Sequence, residues 1–171
     1  MRGKRSLLST IGALTFTLGA VFATGSAQAA APADQGTSGK VMTLPAAPEG
    51  ARALSTQGAA AASPGVSPWA PSEHVKPGGS FKCVSGDFCA AVWDYSAAKW
   101  EVFHLNACHT YSLSDWENGG YYWNWQINTE GRETAYFYNG SGTRVKEAPI
   151  DYSTAGKPYN WTPIYKISNC A

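Results

Sequence analysis

The sequence predicts an all-β fold, a small disulfide-stapled β-sandwich or barrel that follows a disordered N-terminal arm. Three observations predict it. From Ser80 onward, short aromatic and β-branched runs alternate with turn signals, and no segment keeps a helical period over three turns. All four cysteines, Cys83, Cys89, Cys108 and Cys170, lie in that stretch. So do 19 aromatic residues among its 92 positions, a density that suits a small core built from rings.

The chain opens with "MRGKRSLLSTIGALTFTLGAVFATGSAQAA". Arg2, Lys4 and Arg5 give a positive start, Leu7 to Ala23 an apolar run, and Ala27-Gln28-Ala29 a small-x-small cleavage signal. That pattern predicts a signal peptide over residues 1–29, a mature start at Ala30, and a secreted, extracellular protein. A single-pass anchor is the alternative, but Ser, Thr and Gly interrupt the run and no basic stop-transfer cluster follows. Residues 30–79 are Ala, Pro, Gly, Ser or Thr at 34 of fifty positions, with Trp69 their one aromatic. So little apolar bulk does not offset the entropy of ordering, which predicts a disordered linker or propeptide. Residues 80–171 remain as one β-domain.

Within that domain "FCAAVWDY" (Phe88 to Tyr95) reads as a strand ended by Ser96-Ala97-Ala98, and "KWEVFHL" (Lys99 to Leu105) as its hairpin partner. "YSLSDW" (Tyr111 to Trp116) carries Ser and Asp caps and reads as a single helical turn. "YYWNWQI" is a third strand and "ETAYFYN" (Glu133 to Asn139) a fourth, followed by the turn "NGSG" and then "TRVKEA". "PIYKISNC" (Pro163 to Cys170) closes the domain. In "GGYYWNWQIN" strand alternation puts Tyr121, Trp123, Trp125 and Ile127 on one face, and Tyr122, Asn124, Gln126 and Asn128 on the other. The first face is wholly apolar or aromatic, which predicts a half-buried strand with those rings turned inward.

Four cysteines in an exported small domain imply two disulfides. Of the three pairings, the spacing favours Cys83–Cys89, a pinch around "CVSGDFC", and Cys108–Cys170, a staple from the domain's end to its middle. A metal site at Cys108-His109 is the alternative, but paired Cys-x2-4-Cys and His-x3-5-His spacings are absent. No cofactor or metal is expected. Charges from Ser80 onward are seven Lys/Arg against nine Asp/Glu, without a basic cluster. Nucleic acid and anionic lipid are therefore set aside as partners. A monomer is expected.

"CVSGDFC" with the following "AVWDY", then "KWEVFHL", "YSLSDW" and Trp123-Asn124, resembles the small secreted βγ-crystallin-like proteins of actinobacteria related to the Streptomyces metalloproteinase inhibitor. The match covers Cys83 to about Asn128, and beyond that "AYFYNGSG" and the closing strand. The resemblance implies a Greek-key β-sandwich and a peptidase inhibitor. It carries over neither a reactive loop, since Cys108 and Cys170 are far apart in sequence, nor calcium binding, since the crystallin calcium signature is missing.

Catalysis needs a base, acid or nucleophile set in a water-excluding pocket. Asp94, Glu101, Asp115 and Glu117 read instead as turn and strand-surface charges, His104 as half-buried on its strand, and His109 as solvated. "YSLSD" lacks the Gly-x-Ser-x-Gly elbow of a serine nucleophile. No enzyme activity is expected. The reading is a protein-binding module, a peptidase inhibitor that docks a rigid loop into an extracellular protease. Candidate loops are "NGSGTR", with Asn139 and Arg144, and "ENGGY". The alternatives are a carbohydrate- or cell-wall-glycan-binding module using rings such as Tyr95, Trp116 and Tyr122, and a structural extracellular protein.

Overall fold

Every strand pairing in the computed structural model is antiparallel; the structure describes residues 38–51, 62–127 and 133–170. Among the described residues the strands are β1 (Gly39–Thr43), β2 (Gly65–Ser67), β3 (Ser72–Val75), β4 (Ser80–Val84), β5 (Phe88–Asp94), β6 (Lys99–Leu105), β7 (Thr110–Ser114), β8 (Gly119–Asn124), β9 (Thr134–Asn139), β10 (Arg144–Pro149), β11 (Lys157–Asn160) and β12 (Ile164–Ser168). They form one five-stranded sheet in the order β11-β8-β5-β6-β3, a second in the order β10-β9-β12-β7-β2, and a two-stranded ribbon, β1-β4. The predicted signal peptide, residues 1–29, lies outside the described residues.

The predicted hairpin is present, with β5 and β6 in register from Phe88↔Leu105 to Asp94↔Lys99. Side chains alternate across this sheet, so each face has its own cover. One face carries Phe88, Ala90 and Val92 of β5, Phe103 and Leu105 of β6, and Tyr122 of β8. These pack on Phe137 of β9, Tyr111 of β7, and Ile164 and Ile167 of β12, the core of a β-sandwich-like fold. Trp161 sits in this core, and its indole N–H donates to the Ala91 carbonyl at 3.0 Å. The other face carries Cys89, Ala91 and Trp93 of β5, Trp100 and Val102 of β6, and Trp123 of β8. Met42 and Leu44 of the arm and Phe81 and Cys83 of β4 cover it. Covered on both faces, β5 is buried at all seven positions.

The predicted disulfides, Cys83–Cys89 and Cys108–Cys170, are both present and take up all four cysteines. The first lies inside the second apolar layer and fastens the ribbon to β5. The second joins the β6–β7 connection to the end of β12 and is exposed at Cys108.

Three expectations need correction. Residues 30–79 are not a disordered arm throughout, since β1, β2 and β3 fall among them. Few apolar residues suffice here because Met42, Leu44 and Val75 land on an apolar sheet face, and the backbones pair with β4, β7 and β6. "YSLSDW" is not a helical turn but contains most of β7, whose pairing with β12 and β2 overrides its local capping residues. Lastly, "YYWNWQI" carries buried side chains on both faces. Trp123 and Trp125 are interior as expected, but so are Tyr122, Asn124 and Gln126. Tyr121 is half-buried, and Ile127, expected inward with it, is 40% exposed because β8 ends at Asn124 and the alternation stops there. Asn128 lies outside the described residues. Asn124 Nδ2 donates to the Ala148 carbonyl at 2.7 Å and Gln126 Nε2 to the Asn169 carbonyl, so the amides serve the interior rather than solvent.

Candidate functional site

The β9–β10 hairpin presents the exposed "NGSGTR" tip. Its geometry begins with Asn139, whose side-chain carbonyl accepts from the Ser141 N–H at 3.1 Å, the Ser141 hydroxyl at 2.7 Å and the Thr143 N–H at 2.9 Å. The backbone closes the same turn through Asn139 N–H to Thr143 O and Gly142 N–H to Asn139 O. Gly142 sits at φ +79°, where a side chain would be strained. One carboxamide with three donors fixes the loop before any partner arrives.

Beyond the turn, the pairing slips between Arg144 and Lys146, so Arg144↔Tyr138 is followed by Lys146↔Phe137. Val145 is the extra residue of this bulge and is 46% exposed. The Arg144 guanidinium lies 4.8 Å from the centre of the Tyr136 ring, and its Nη2 is 3.1 Å from Glu147 Oε1. Among the described residues strand β10 is an edge, paired only to β9. Turn, bulge and free edge form one stiff, exposed strip.

The other predicted binding residues are elsewhere. Trp116 is interior: its N–H donates to the Gly65 carbonyl at 3.0 Å and its ring packs against Trp161 and Phe103. Tyr122 stacks on Phe88 in the same core. Neither can meet a ligand, because a Trp or Tyr ring contributes most to stability when the interior covers it. Tyr95 is half-buried, and its hydroxyl accepts from Asn118 Nδ2 at 2.8 Å. The second candidate loop is partly β8, which takes Gly119 to Tyr121.

A cleft of about 580 Å3 opens between the arm at Pro45–Pro48 and the sheet at Trp100, Tyr121, Pro158 and Tyr159. Its floor is fixed, since the Trp100 N–H donates to the Pro45 carbonyl at 3.2 Å. Gly120 lies on this wall, and a Cβ there would strike the Ala91 carbonyl and the Trp161 indole.

The carboxylates at Asp94 and Glu101 are not the surface charges the sequence suggests; both are buried, whereas Asp115 and Glu117 are exposed. Strand β3 brings His74 to them, with Nε2 2.8 Å from Asp94 Oδ2 and 3.8 Å from Glu101 Oε2. Burial opposes the Asp94 charge, but hydrogen bonds from Ser96, His74 and the Ala97 backbone outweigh it and hold its pKa below the ordinary value. Burial raises the Glu101 pKa, against the Ser72 hydrogen bond and His74, and the Asp94 charge adds to the rise. His74 escaped sequence reading because it lies in the stretch read as disordered.

His104 has a different setting. Its Nδ1 is 3.4 Å from Asp87 Oδ2 and its Nε2 3.2 Å from Glu73 Oε1. Hydrogen bonding to Asp87, with help from Glu73, raises its pKa above 6.5 against the opposing effect of burial. Asp87, Cys89 and His104 converge, but the Cys89 sulfur is committed to Cys83 and offers no thiolate to a metal. The same holds for Cys108 beside His109. A raised histidine pKa means that the protonated ring stabilises the fold. That stability is full below pH 6.5 and is lost as pH rises through the elevated value. Urea midpoints of wild type and His104→Gln measured from pH 5 to 9 are expected to converge toward the alkaline end. A gap independent of pH would exclude the ion-pair role.

Set beside known proteins, the chain matches no family, no curated protein and no solved structure.

Proposed function

We propose that the chain is a secreted protein-binding module, specifically a peptidase inhibitor that seats the β9–β10 tip in the cleft of an extracellular protease. The carrying observation is the Asn139-centred turn, fixed by three side-chain hydrogen bonds and exposed at Ser141 to Val145. A loop ordered before binding loses little entropy on docking, which is the requirement for tight, substrate-like inhibition. The bulge aims Val145 and Arg144 outward beside a free strand edge, which offers backbone groups to an extended partner. Two disulfides suit an oxidising, extracellular setting. The resemblance to the βγ-crystallin-like inhibitors agrees with this reading, and a Greek-key sandwich of that type is the finer fold assignment we attach to it.

The test is inhibition of metallo-, serine and cysteine peptidases by the purified protein. Inhibition of one class is expected at or below about 1 μM, with Arg144→Ala and Val145→Asp each weakening it about 30-fold. Asn139→Ala should weaken it with an unchanged contact surface, by loosening the turn. No inhibition of any class at about 10 μM would remove the proposal.

A second reading rests on the aromatic cleft at Tyr121 and Tyr159, whose rings could stack on a cell-wall sugar. Tyr159→Ala would then abolish retention on chitin or peptidoglycan. Equal retention, or none by wild type, would dismiss it.

A further inference from the structure

We infer that His74, Asp94 and Glu101 form a binding site for a divalent first-row transition ion of the zinc type, which fastens β3 to the β5–β6 hairpin. The three donors are His74 Nε2, Asp94 Oδ2 and Glu101 Oε2, all within 4.8 Å of one another. Two ligands about 2.05 Å from a tetrahedral ion stand about 3.3 Å apart. The observed separations from His74 Nε2, 2.8 and 3.8 Å, bracket that value, so small side-chain adjustments complete three corners of a tetrahedron. His74 is 39% exposed at its side chain, which leaves the fourth corner open to water and gives the ion a way in.

The unused oxygens show why the carboxylates face inward to one point. Asp94 Oδ1 accepts from the Ser96 hydroxyl at 2.6 Å, the Ser96 N–H at 2.8 Å and the Ala97 N–H at 3.2 Å. Glu101 Oε1 accepts from the Ser72 hydroxyl at 2.9 Å. Each acid thus spends one oxygen on the protein and turns the other toward His74, the pattern by which outer hydrogen bonds orient metal ligands. Glu101 is 7% exposed, yet its Oε2 is one of three buried side-chain polar atoms left without a hydrogen-bond partner among the described residues. A buried carboxylate oxygen without a donor is costly, and a cation is its natural partner. With a neutral imidazole the two acids carry two negative charges, which one divalent ion cancels.

One imidazole with two carboxylates is a mixed nitrogen and oxygen set. It suits zinc or its neighbours better than calcium or magnesium, which prefer oxygen alone and more ligands. The site spans three strands: His74 and Glu101 are direct cross-strand partners on β3 and β6, and Asp94 ends β5. An ion there ties down an edge strand only four residues long.

The experiment uses the untagged, chelator-stripped protein. Zinc chloride at about a hundredfold excess over its Kd is expected to raise Tm by about 10 °C. Cobalt(II) is expected to bind one per chain and to give visible d–d bands without a thiolate charge-transfer band. Glu101→Gln keeps the acceptor for Ser72 and removes a buried charge, so it should stay folded by near-UV circular dichroism. It and His74→Gln are expected to lose both the Tm shift and the cobalt bands, and His104→Gln to retain them. Absence of shift and bands in wild type, their persistence in both site variants, or an equal response to calcium or magnesium would each overturn the inference. These readouts are independent of peptidase inhibition.

Discussion

A chain beginning at Ser80 is expected to lose its cooperative fold, whereas one beginning at Ser38 is expected to keep it. The shorter chain contains every cysteine and every strand from β4 onward, so by composition it is the whole domain. What it lacks is the cover on one face of the central sheet. Met42 and Leu44 are 0% and 1% exposed against Trp93, Trp100 and Trp123, and Val75 is nearly as deep. Burying each of the three is worth about 2 kcal/mol, so their loss approaches about 6 kcal/mol before any strand pairing is counted. Domains of this size are stable by about 5 to 15 kcal/mol in all. Removal of β1 also leaves β4 without its partner, and removal of β3 leaves β6 as a bare edge. Thermal or urea unfolding followed by tryptophan fluorescence reads the result directly, since the uncovered indoles shift to longer wavelength. Leu44→Ala is the single-residue version, with an expected loss of about 2 to 5 kcal/mol. Equal midpoints for the Ser38 and Ser80 chains would show that the arm only rests on the sheet.

The contrast between that arm and the hairpins shows what the sequence could disclose. The β5–β6 and β9–β10 pairs were legible because each joins two aromatic or β-branched runs through a short turn, so the strands and their partners are neighbours in the chain. The disulfides were legible from spacing and compartment. The arm was not. Its three strands are three to five residues long, and each pairs with a strand that is distant or carries no pattern of its own. Composition averaged over fifty residues hides a Met42 or a Leu44 that happens to meet an apolar face. The same averaging hid His74, and with it the meaning of Asp94 and Glu101, which look like surface charges until β3 is placed beside them. Alternation misled at Tyr122, because a strand covered on both sides has no polar face. The turn at Asn139 was legible because an Asn-Gly turn acts through its own neighbours alone.

Reduction of Cys108–Cys170 alone is expected to lower Tm by about 15 °C while leaving the native fold in place at room temperature. The bridge closes a separation of 62 residues, and constraining an unfolded chain over that length is worth about 4 kcal/mol on the chain-entropy model. The Cys83–Cys89 loop, at a separation of six, is worth about 2 kcal/mol by the same reasoning. Folded-state contacts add to the bridges from the other side of the equilibrium. Asn169, beside Cys170, donates from Nδ2 to the Leu105 carbonyl at 2.7 Å, accepts at Oδ1 from the His109 N–H at 3.0 Å, and takes Gln126 at its carbonyl. Each such bond adds about 1 kcal/mol and keeps the chain end seated after the bridge opens. The staple therefore governs how stable the domain is, and Asn169 governs where its last strand ends. Exposure separates the two bridges experimentally: Cys108 is open to solvent, while Cys83 and Cys89 are wholly buried. Mild phosphine reductant followed by alkylation and mass spectrometry should label Cys108 and Cys170 first, and Cys108→Ser/Cys170→Ser should reproduce the Tm of that species. A change below about 3 °C would mean that the amide network already does the work assigned to the staple.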